Sequence, residues 1–415
     1  MRILFFLNGL CLGGTEKAAC RWAWGLKKRG HEITVLTLDD GPHRAELEQH
    51  GLSVRLVEKS ARVIAGNLLE LQPNVIHAHA PGQPHTGDVL GEALKLLPKK
   101  IPVVQTNVFG RLENPKEDAW MDFRLFISWT SCVQAARRSF RKLDEDFFRR
   151  ASVAVYPVDP VDPPSAAVVG TFRKQLGISD DEVLFGRLSR PEPNKWTDLA
   201  LDAFQRALRH NRKIKLLLRE PPPSVAEKLR ASANAQHFII LPATADANEL
   251  RLTMSALDVV LHTSSMGESF GYGIAEPMNL GKPVITHSVP WADQAQIELV
   301  RRGECGFVAS TPATMAEVML QLVNNPALRE RMGRKAQEHI RTLADPDTSI
   351  ARLEKILQAA VEGRDNPFAA EDLERARRTA AYLDAHQFGH SWLEQLALRP
   401  FYYRVRFHQF RKRFI

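Results

Sequence analysis

Two series of short apolar runs, each run followed by a stretch of helical periodicity, are separated by one segment that can be neither strand nor helix. The first series has strand-like runs at 3–7, 33–38, 54–57, 75–78, 103–106, 125–128 and 153–156. Amphipathic stretches such as 15–28 and 132–142 lie between them. Then comes Tyr156-Pro157-Val158-Asp159-Pro160-Val161-Asp162-Pro163-Pro164, with four prolines in nine residues. Proline lacks an N–H and fixes φ, so this run reads as an interdomain linker. A second series follows at 183–188, 214–218, 238–241, 259–262, 284–286 and 306–308, and the pattern beyond 311 is helical, over 313–323, 328–342, 349–361 and 368–386. Strand alternating with helix predicts parallel sheets covered on both faces, with ligands at the carboxyl ends of the strands. The expected class is α/β, with two Rossmann-like doubly wound domains. Their spans are 1–157 and 158–362, with 363–415 left over.

Composition narrows the class. A chain of 415 residues is too long for one core and suits two domains. Apolar residues at 44% and charged residues at 25% exclude a disordered or fibrous chain. Cys11, Cys20, Cys132 and Cys305 are scattered, which excludes a disulfide scaffold and a cysteine-rich zinc module and suits a reducing cytoplasm. No apolar run is long enough for a spanning helix. The apolar start is broken by Asn8 and Gly9, so it reads as a buried first strand and not as a cleaved signal.

The net charge of +8 is unevenly placed: +5 over 1–157, −1 over 158–362 and +4 over 363–415. Within Arg399–Ile415 the bases Arg399, Arg404, Arg406, Arg411, Lys412 and Arg413 alternate with aromatic residues, with no acid among them. Rings beside cations suit an anionic membrane surface. The same tail could pack on its own protein or a partner chain, and nucleic acid is the weakest of the three readings.

Four segments carry chemistry. Asn8-Gly9-Leu10-Cys11-Leu12-Gly13-Gly14-Thr15-Glu16-Lys17 follows a strand and opens a helix, where free N–H groups and a positive dipole end suit a phosphate or sugar; a bare turn is the alternative. In Asn74-Val75-Ile76-His77-Ala78-His79-Ala80-Pro81-Gly82 the two histidines share one strand face. His77 reads as structural, while His79 lies nearer the carboxyl end and is a candidate site residue. No acidic cluster completes a metal site beside them. In Phe185-Gly186-Arg187-Leu188-Ser189-Arg190-Pro191-Glu192-Pro193-Asn194-Lys195-Trp196 a strand ends in cations, a phosphate clamp or else a solvated basic loop. The fourth segment, Glu268-Ser269-Phe270-Gly271 followed by Glu276 and Gly281-Lys282-Pro283, sets one carboxylate before a helix and one inside it. Carboxylates accept hydrogen bonds from sugar hydroxyls, and the backbone N–H groups of Phe270 and Gly271 suit an anion.

Glu268 and Glu276, seven residues between them, resemble the Glu-x7-Glu signature of family 4 retaining glycosyltransferases, which have the GT-B fold. The Gly-Gly-Thr-Glu loop, the His-Ala-His segment and Gly186-Arg187…Lys195 resemble the other landmarks of that family, in the same order. The resemblance covers about residues 1–385. It implies two domains facing a cleft, 1–157 on the acceptor side and 158–362 holding a nucleotide diphosphate sugar donor, with 363–415 as a crossover helix and a basic aromatic tail. Glu276 would hold its ribose, Glu268 the transferred sugar, and Ser269, Phe270 and Gly271 would line the donor. Arg187 and Lys195, with Arg190 as an added cation, would neutralise the leaving diphosphate. Gly14 would approach donor or acceptor from the first domain, and His79 would lie near the reacting centre as a catalytic residue. No cofactor and no metal are required on this reading, since the cations and a helix dipole serve the leaving group. The acceptor is a glycan or lipid-linked hydroxyl, and the enzyme is cytoplasmic, on the inner face of the membrane if the tail docks there.

The chain departs from the family pattern in three places. Arg187 and Lys195 are eight apart, the linker is proline-rich, and Pro277 follows the second glutamate. Two other classes compete with the transferase reading. A nicotinamide-dependent oxidoreductase would use the glycine loop with Asp39 and Asp40, but the glycine spacing is wrong and Glu268 and Glu276 are left without a role. A non-catalytic nucleotide-sugar-binding protein would share the site and release no nucleotide diphosphate.

Overall fold

The computed structural model describes residues 1–80, 88–110, 112, 120–389 and 391–414. The chain divides into two compact units, Met1–Pro157 with Ala344–Ala381, and Val158–Leu343 with Tyr382–Ile415.

The first unit holds strands β1 (Arg2–Leu7), β2 (Glu32–Thr37), β3 (Ser53–Leu56), β4 (Val75–Ala80), β5 (Val103–Asn107), β6 (Phe123–Phe126) and β7 (Ala151–Val153). Among the described residues they form one sheet in the order β3-β2-β1-β4-β5-β6-β7, every neighbour parallel. Phe5 of β1 sits opposite Val35 on one side and His77 on the other. The inner strands are buried almost throughout, as in a parallel sheet covered on both faces, although β4 and β5 carry His77, His79, Gln105, Thr106 and Asn107. The strand order reverses between β1 and β4, so the loop after β1 and the end of β4 flank a topological switch point.

Helix Gly14–Lys28 buries Ala18, Ala19, Trp22, Ala23 and Leu26, a stripe of helical period. Its neighbour corrects the expected domain boundary. Helix Pro346–Val361, within the span assigned to the second domain, belongs to the first unit. Trp22 Nε1 donates to Ser349 Oγ at 2.8 Å, and Ser349 Oγ donates to the Val155 carbonyl. A Cβ on Gly25 would lie 2.2 Å from Ile350 Cδ1, so glycine is what lets the two helices approach. The periodicity of 349–361 marks its apolar face but not the core that receives it. The following helix, Ala369–His386, begins in the first unit and ends among residues of the second.

The second unit has β8 (Val183–Leu188), β9 (Ile214–Arg219), β10 (Phe238–Leu241), β11 (Val259–His262), β13 (Val284–Thr286) and β15 (Gly306–Val308). Their order is β10-β9-β8-β11-β13-β15, all parallel. Phe185, Phe204, Leu216, Val259, Ile285 and Met315 lie in its core. Here the order reverses between β8 and β11. A small parallel pair outside the sheet, β12 (Gly267–Glu268) with β14 (Asp293–Gln294), has no counterpart in the sequence expectation.

The expected C-terminal tail is a helix, Trp392–Phe414. Ile415, the side chains of Lys412, Arg413 and Phe414, and Pro81 and Gly82 of the His-Ala-His segment lie outside the described residues. Among the described residues no helix is long and apolar enough to cross a membrane.

Candidate active site

The second switch point gathers the charged residues. Arg187 is near the end of β8, His262 ends β11, and Glu268 lies in β12, five residues after Thr263. Glu268 is held from two sides. Lys195 Nζ donates to its Oε1 at 2.7 Å, and His262 Nε2 lies 3.1 Å from the same oxygen. The Glu268 side chain is 13% exposed and that of Lys195 16%, so the pair is poorly screened by water. Burial by itself would raise the Glu268 carboxyl, but the hydrogen bond from His262 and the charge of Lys195 outweigh it and hold it down at about 2. His262 is shifted below its usual range, mainly by burial, with Glu268 pulling the other way.

The backbone around Glu268 is shaped by two glycines. Gly267 has φ +66°, and a Cβ there would lie 1.7 Å from the Asp293 carbonyl oxygen, so only glycine lets β12 lie against β14. Gly271 has φ +101° and precedes the helix Tyr272–Asn279. Gln296 Oε1 accepts from the Glu268 N–H at 3.1 Å, and Ser269 Oγ donates to Asp293 Oδ2 at 2.7 Å. Phe270 turns its ring inward, 3% exposed. Glu276 is half-buried in the helix, followed within it by Pro277. Proline there removes one intrahelical donor, and the helix ends two residues later, at Asn279, in a tightened turn, Gly281 N–H to the Met278 carbonyl at 2.9 Å.

Arg187 plays a different part from a solvated clamp. It is 2% exposed, and burial lowers its pKa to about 9, with Glu268 opposing that shift. One terminal nitrogen donates to Thr263 Oγ1 at 2.6 Å, the other to the carbonyls of Lys195 and Thr263, and the guanidinium lies 4.5 Å over the Trp196 ring. It therefore ties the loop carrying Lys195 to the end of β11 while leaving a positive charge beneath it. Arg190, expected to add to the clamp, instead pairs with Glu192 at 3.1 Å with its side chain 57% exposed. In the described structure Lys195, not Arg190, meets Glu268.

Sequence reasoning misses His262, Thr263, Asp293 and Gln296. His262 carries a usable signal, since it ends a recognisable strand, at the end of the sheet where ligands bind. Asp293 and Gln296 carry none, because the β12–β14 pairing that places them is not visible in local periodicity.

In the first unit His79, 4% exposed, is pressed below its usual range to about 3 by burial, and neither ring nitrogen has a hydrogen-bond partner among the described residues. Its ring lies 5.6 Å from that of Trp22 and 4.7 Å from that of His77. His77 is structural, as expected, with Nε2 bonded to Thr106 Oγ1 at 2.8 Å. Gly14 opens its helix behind Gly13, which has extended backbone and provides no side-chain cap. The structure thus sets His79 and the glycine loop at the switch point of the first sheet.

Residues 169–339 match the family described as glycosyl transferases group 1, a span that includes Arg187, Lys195, Glu268 and Glu276. The matched span holds the β8–β15 sheet with its helices. A phosphatidyl-myo-inositol mannosyltransferase of Mycobacterium leprae is 28% identical over 204 residues, 47% of this chain and 53% of that protein. A trehalose synthase of Pyrococcus horikoshii is 35% identical over 95 residues, 23% of this chain and 22% of that one. The chain thus matches about half the length of the first of these relatives and about a fifth of the second. Among solved structures, Anabaena Alr3699/HepE in complex with UDP superposes with a TM-score of 0.72 at 19% identity, over 86% of this chain and 100% of that one. WaaG, a glycosyltransferase involved in lipopolysaccharide biosynthesis, superposes with a TM-score of 0.61 at 15% identity, over 86% of this chain and 99% of that one. The fold is α/β with two parallel doubly wound sheets, as in GT-B glycosyltransferases.

Proposed function

We propose that this protein is a retaining glycosyltransferase that moves a hexosyl group from a nucleotide diphosphate sugar to an acceptor hydroxyl. The observation that carries the reading is Glu268, held ionised by Lys195 and His262 at the switch point of the second unit, with Glu276 in the next helix. The HepE structure holds UDP, which supports a nucleotide ligand for this fold.

The roles are those that the Glu-x7-Glu resemblance implies. Glu276 accepts from the donor ribose, and Glu268 accepts from hydroxyls of the transferred sugar. Ser269, Phe270 and Gly271 line the donor at the start of the Tyr272–Asn279 helix, where a positive dipole end faces an anion. Lys195, with the buried Arg187 charge behind it, stabilises the diphosphate as it leaves. That charge is already in place, so the reaction as proposed uses no metal. The bond from the anomeric carbon to the phosphate oxygen breaks as the bond to the acceptor oxygen forms on the same face. The leaving phosphate takes the acceptor proton. On the same resemblance Gly14 contacts donor or acceptor, and His79 serves the reacting centre. The proposed acceptor is a lipid-linked glycan precursor reached from the inner, cytoplasmic leaflet; the relative named for phosphatidyl-myo-inositol supports that class.

The test is a transfer screen with a panel of nucleotide sugars, read by mass spectrometry and by release of nucleoside diphosphate. The expected result is acceptor-dependent release with one or two donors, and an α-linked product from an α-linked donor. Donor binding with no release in the presence of any acceptor would reduce the protein to a binding module. Binding of nicotinamide dinucleotide instead would remove the transferase reading.

A further inference from the structure

The helix Trp392–Phe414 has two faces of different character. At 100° per residue, Trp392, Leu396, Tyr403, Phe407 and Phe410 fall within one narrow stripe. That stripe points to water: Trp392 is 68% exposed, Tyr403 62% and Phe407 68%. Exposed Arg399 and half-buried Arg406 flank it on one side, and exposed Arg404 and Arg411 on the other.

The opposite face is seated on the second unit. Glu394, 1% exposed and the sole acid of this helix, accepts from Thr311 N–H at 3.0 Å, from Ser310 N–H and from Thr314 Oγ1. These groups open the helix Pro312–Asn324, whose N-terminal dipole favours a carboxylate. Phe401 stands edge-on to Trp291, ring centres 4.6 Å apart. Just before the helix, the Gln387 carbonyl accepts from Ser288 Oγ, and Gln294 Oε1 lies 2.8 Å from the same hydroxyl oxygen. The segment Ser288–Gln294 that seats the helix is the one whose β14 pairs with β12 and Glu268.

An exposed aromatic stripe on a firmly seated helix is costly in water and suits an interface that is apolar in depth and anionic at its rim. We propose that this outward face lies flat on an anionic lipid surface. The aromatic rings enter the headgroup boundary, and the arginines meet lipid phosphates. The inward face keeps the donor-binding strands at a fixed setting to that surface. The inference deepens the proposed membrane acceptor and rests on it for its purpose, while docking itself can be measured without any transfer reaction.

The experiment uses the full chain with vesicles of phosphatidylcholine alone or with about one third phosphatidylglycerol, read by co-sedimentation at low and at raised salt. The wild type should sediment with the anionic vesicles, weaken in salt, and leave the neutral ones. Arg404→Gln with Arg411→Gln should cut partition about 30-fold, from about 1 kcal/mol for each arginine. Trp392→Ala with Tyr403→Ala and Phe407→Ala should abolish it. Circular dichroism melting checks that both sets of variants stay folded, as expected when every changed side chain is exposed. Equal sedimentation of the aromatic triple variant, or no sedimentation of the wild type, overturns the proposal. So does a dimer, by light scattering, that the triple variant dissolves, because a second copy would then cover the stripe. A parallel titration with UDP and GDP reports on the transferase reading separately, so loss of one result leaves the other standing.

Discussion

Lys195 and Glu268, 73 positions apart in the chain, meet at 2.7 Å at the mouth of one parallel sheet, and a third residue, His262, approaches the same carboxylate oxygen at 3.1 Å. One acid held by two donors stays ionised and stays placed. That pairing is the basis of the catalytic predictions.

Lys195→Met removes the cation that balances the leaving diphosphate and leaves Glu268 with one partner. The expected cost is about 100-fold or more in kcat/KM, measured as initial rates of nucleoside diphosphate release. Lys195→Arg should recover part of it. A Met variant within a few fold of wild type would take Lys195 out of charge stabilisation.

Glu276→Ala should weaken donor binding by roughly 10- to 100-fold, the range for a hydrogen bond to a charged group. Glu268→Gln should act mainly on kcat, because it touches the group being transferred. Calorimetry with the donor nucleotide separates the two. Unchanged affinity in the Glu276 variant removes its ribose role.

Gly267→Ala places a Cβ 1.7 Å from the Asp293 carbonyl oxygen at a φ of +66°. It should cost about 1–3 kcal/mol and lower the melting temperature by several degrees. Donor affinity should fall with it, since β12 carries Glu268. A variant that melts and binds as the wild type would show that the β12–β14 pairing does not set the site.

The pH dependence of stability comes from buried histidines. His79 and His287 are held neutral in the fold by burial, each moved from 6.5 to about 3. Below 6.5 the unfolded chain gains protons that the folded rings refuse. Stability is therefore whole above about pH 6.5 and is lost as pH falls toward about 3. Glu268 adds a later loss, between its ordinary 4.5 and about 2. Urea midpoints at about pH 7.5 and about pH 5 should show the fall, and His79→Gln should flatten it. A midpoint independent of pH over that interval would mean these rings are not buried as described.

Strand runs, linker and acidic pair are legible in the sequence because each is a local pattern. Alternation of apolar runs marks β1 through β11 to within a few residues, and four prolines mark where the first unit gives way to the second. Glu268 and Glu276 are legible because their spacing falls within one short stretch of chain, from β12 into the helix that follows. Residue type and position single out Arg187, but its burial against Thr263 and Trp196 is not visible there, since the fold must first bring β8 beside β11. Arg190 misleads because a basic loop residue looks the same in sequence whether it faces a ligand or, as here, Glu192.

The sequence by itself determined the alternation of strand and helix, the break at the linker and the carboxylates that follow β11, all of which depend on residues close together along the chain. Only the tertiary structure decided that helix Pro346–Val361 lies in the first unit, that His262 and Lys195 share Glu268, and that the C-terminal helix seats Glu394 while turning Trp392 and Phe407 outward. Apolar periodicity says that a face must be buried and not against what; that choice is made by shape and charge among segments that meet only when the chain has folded.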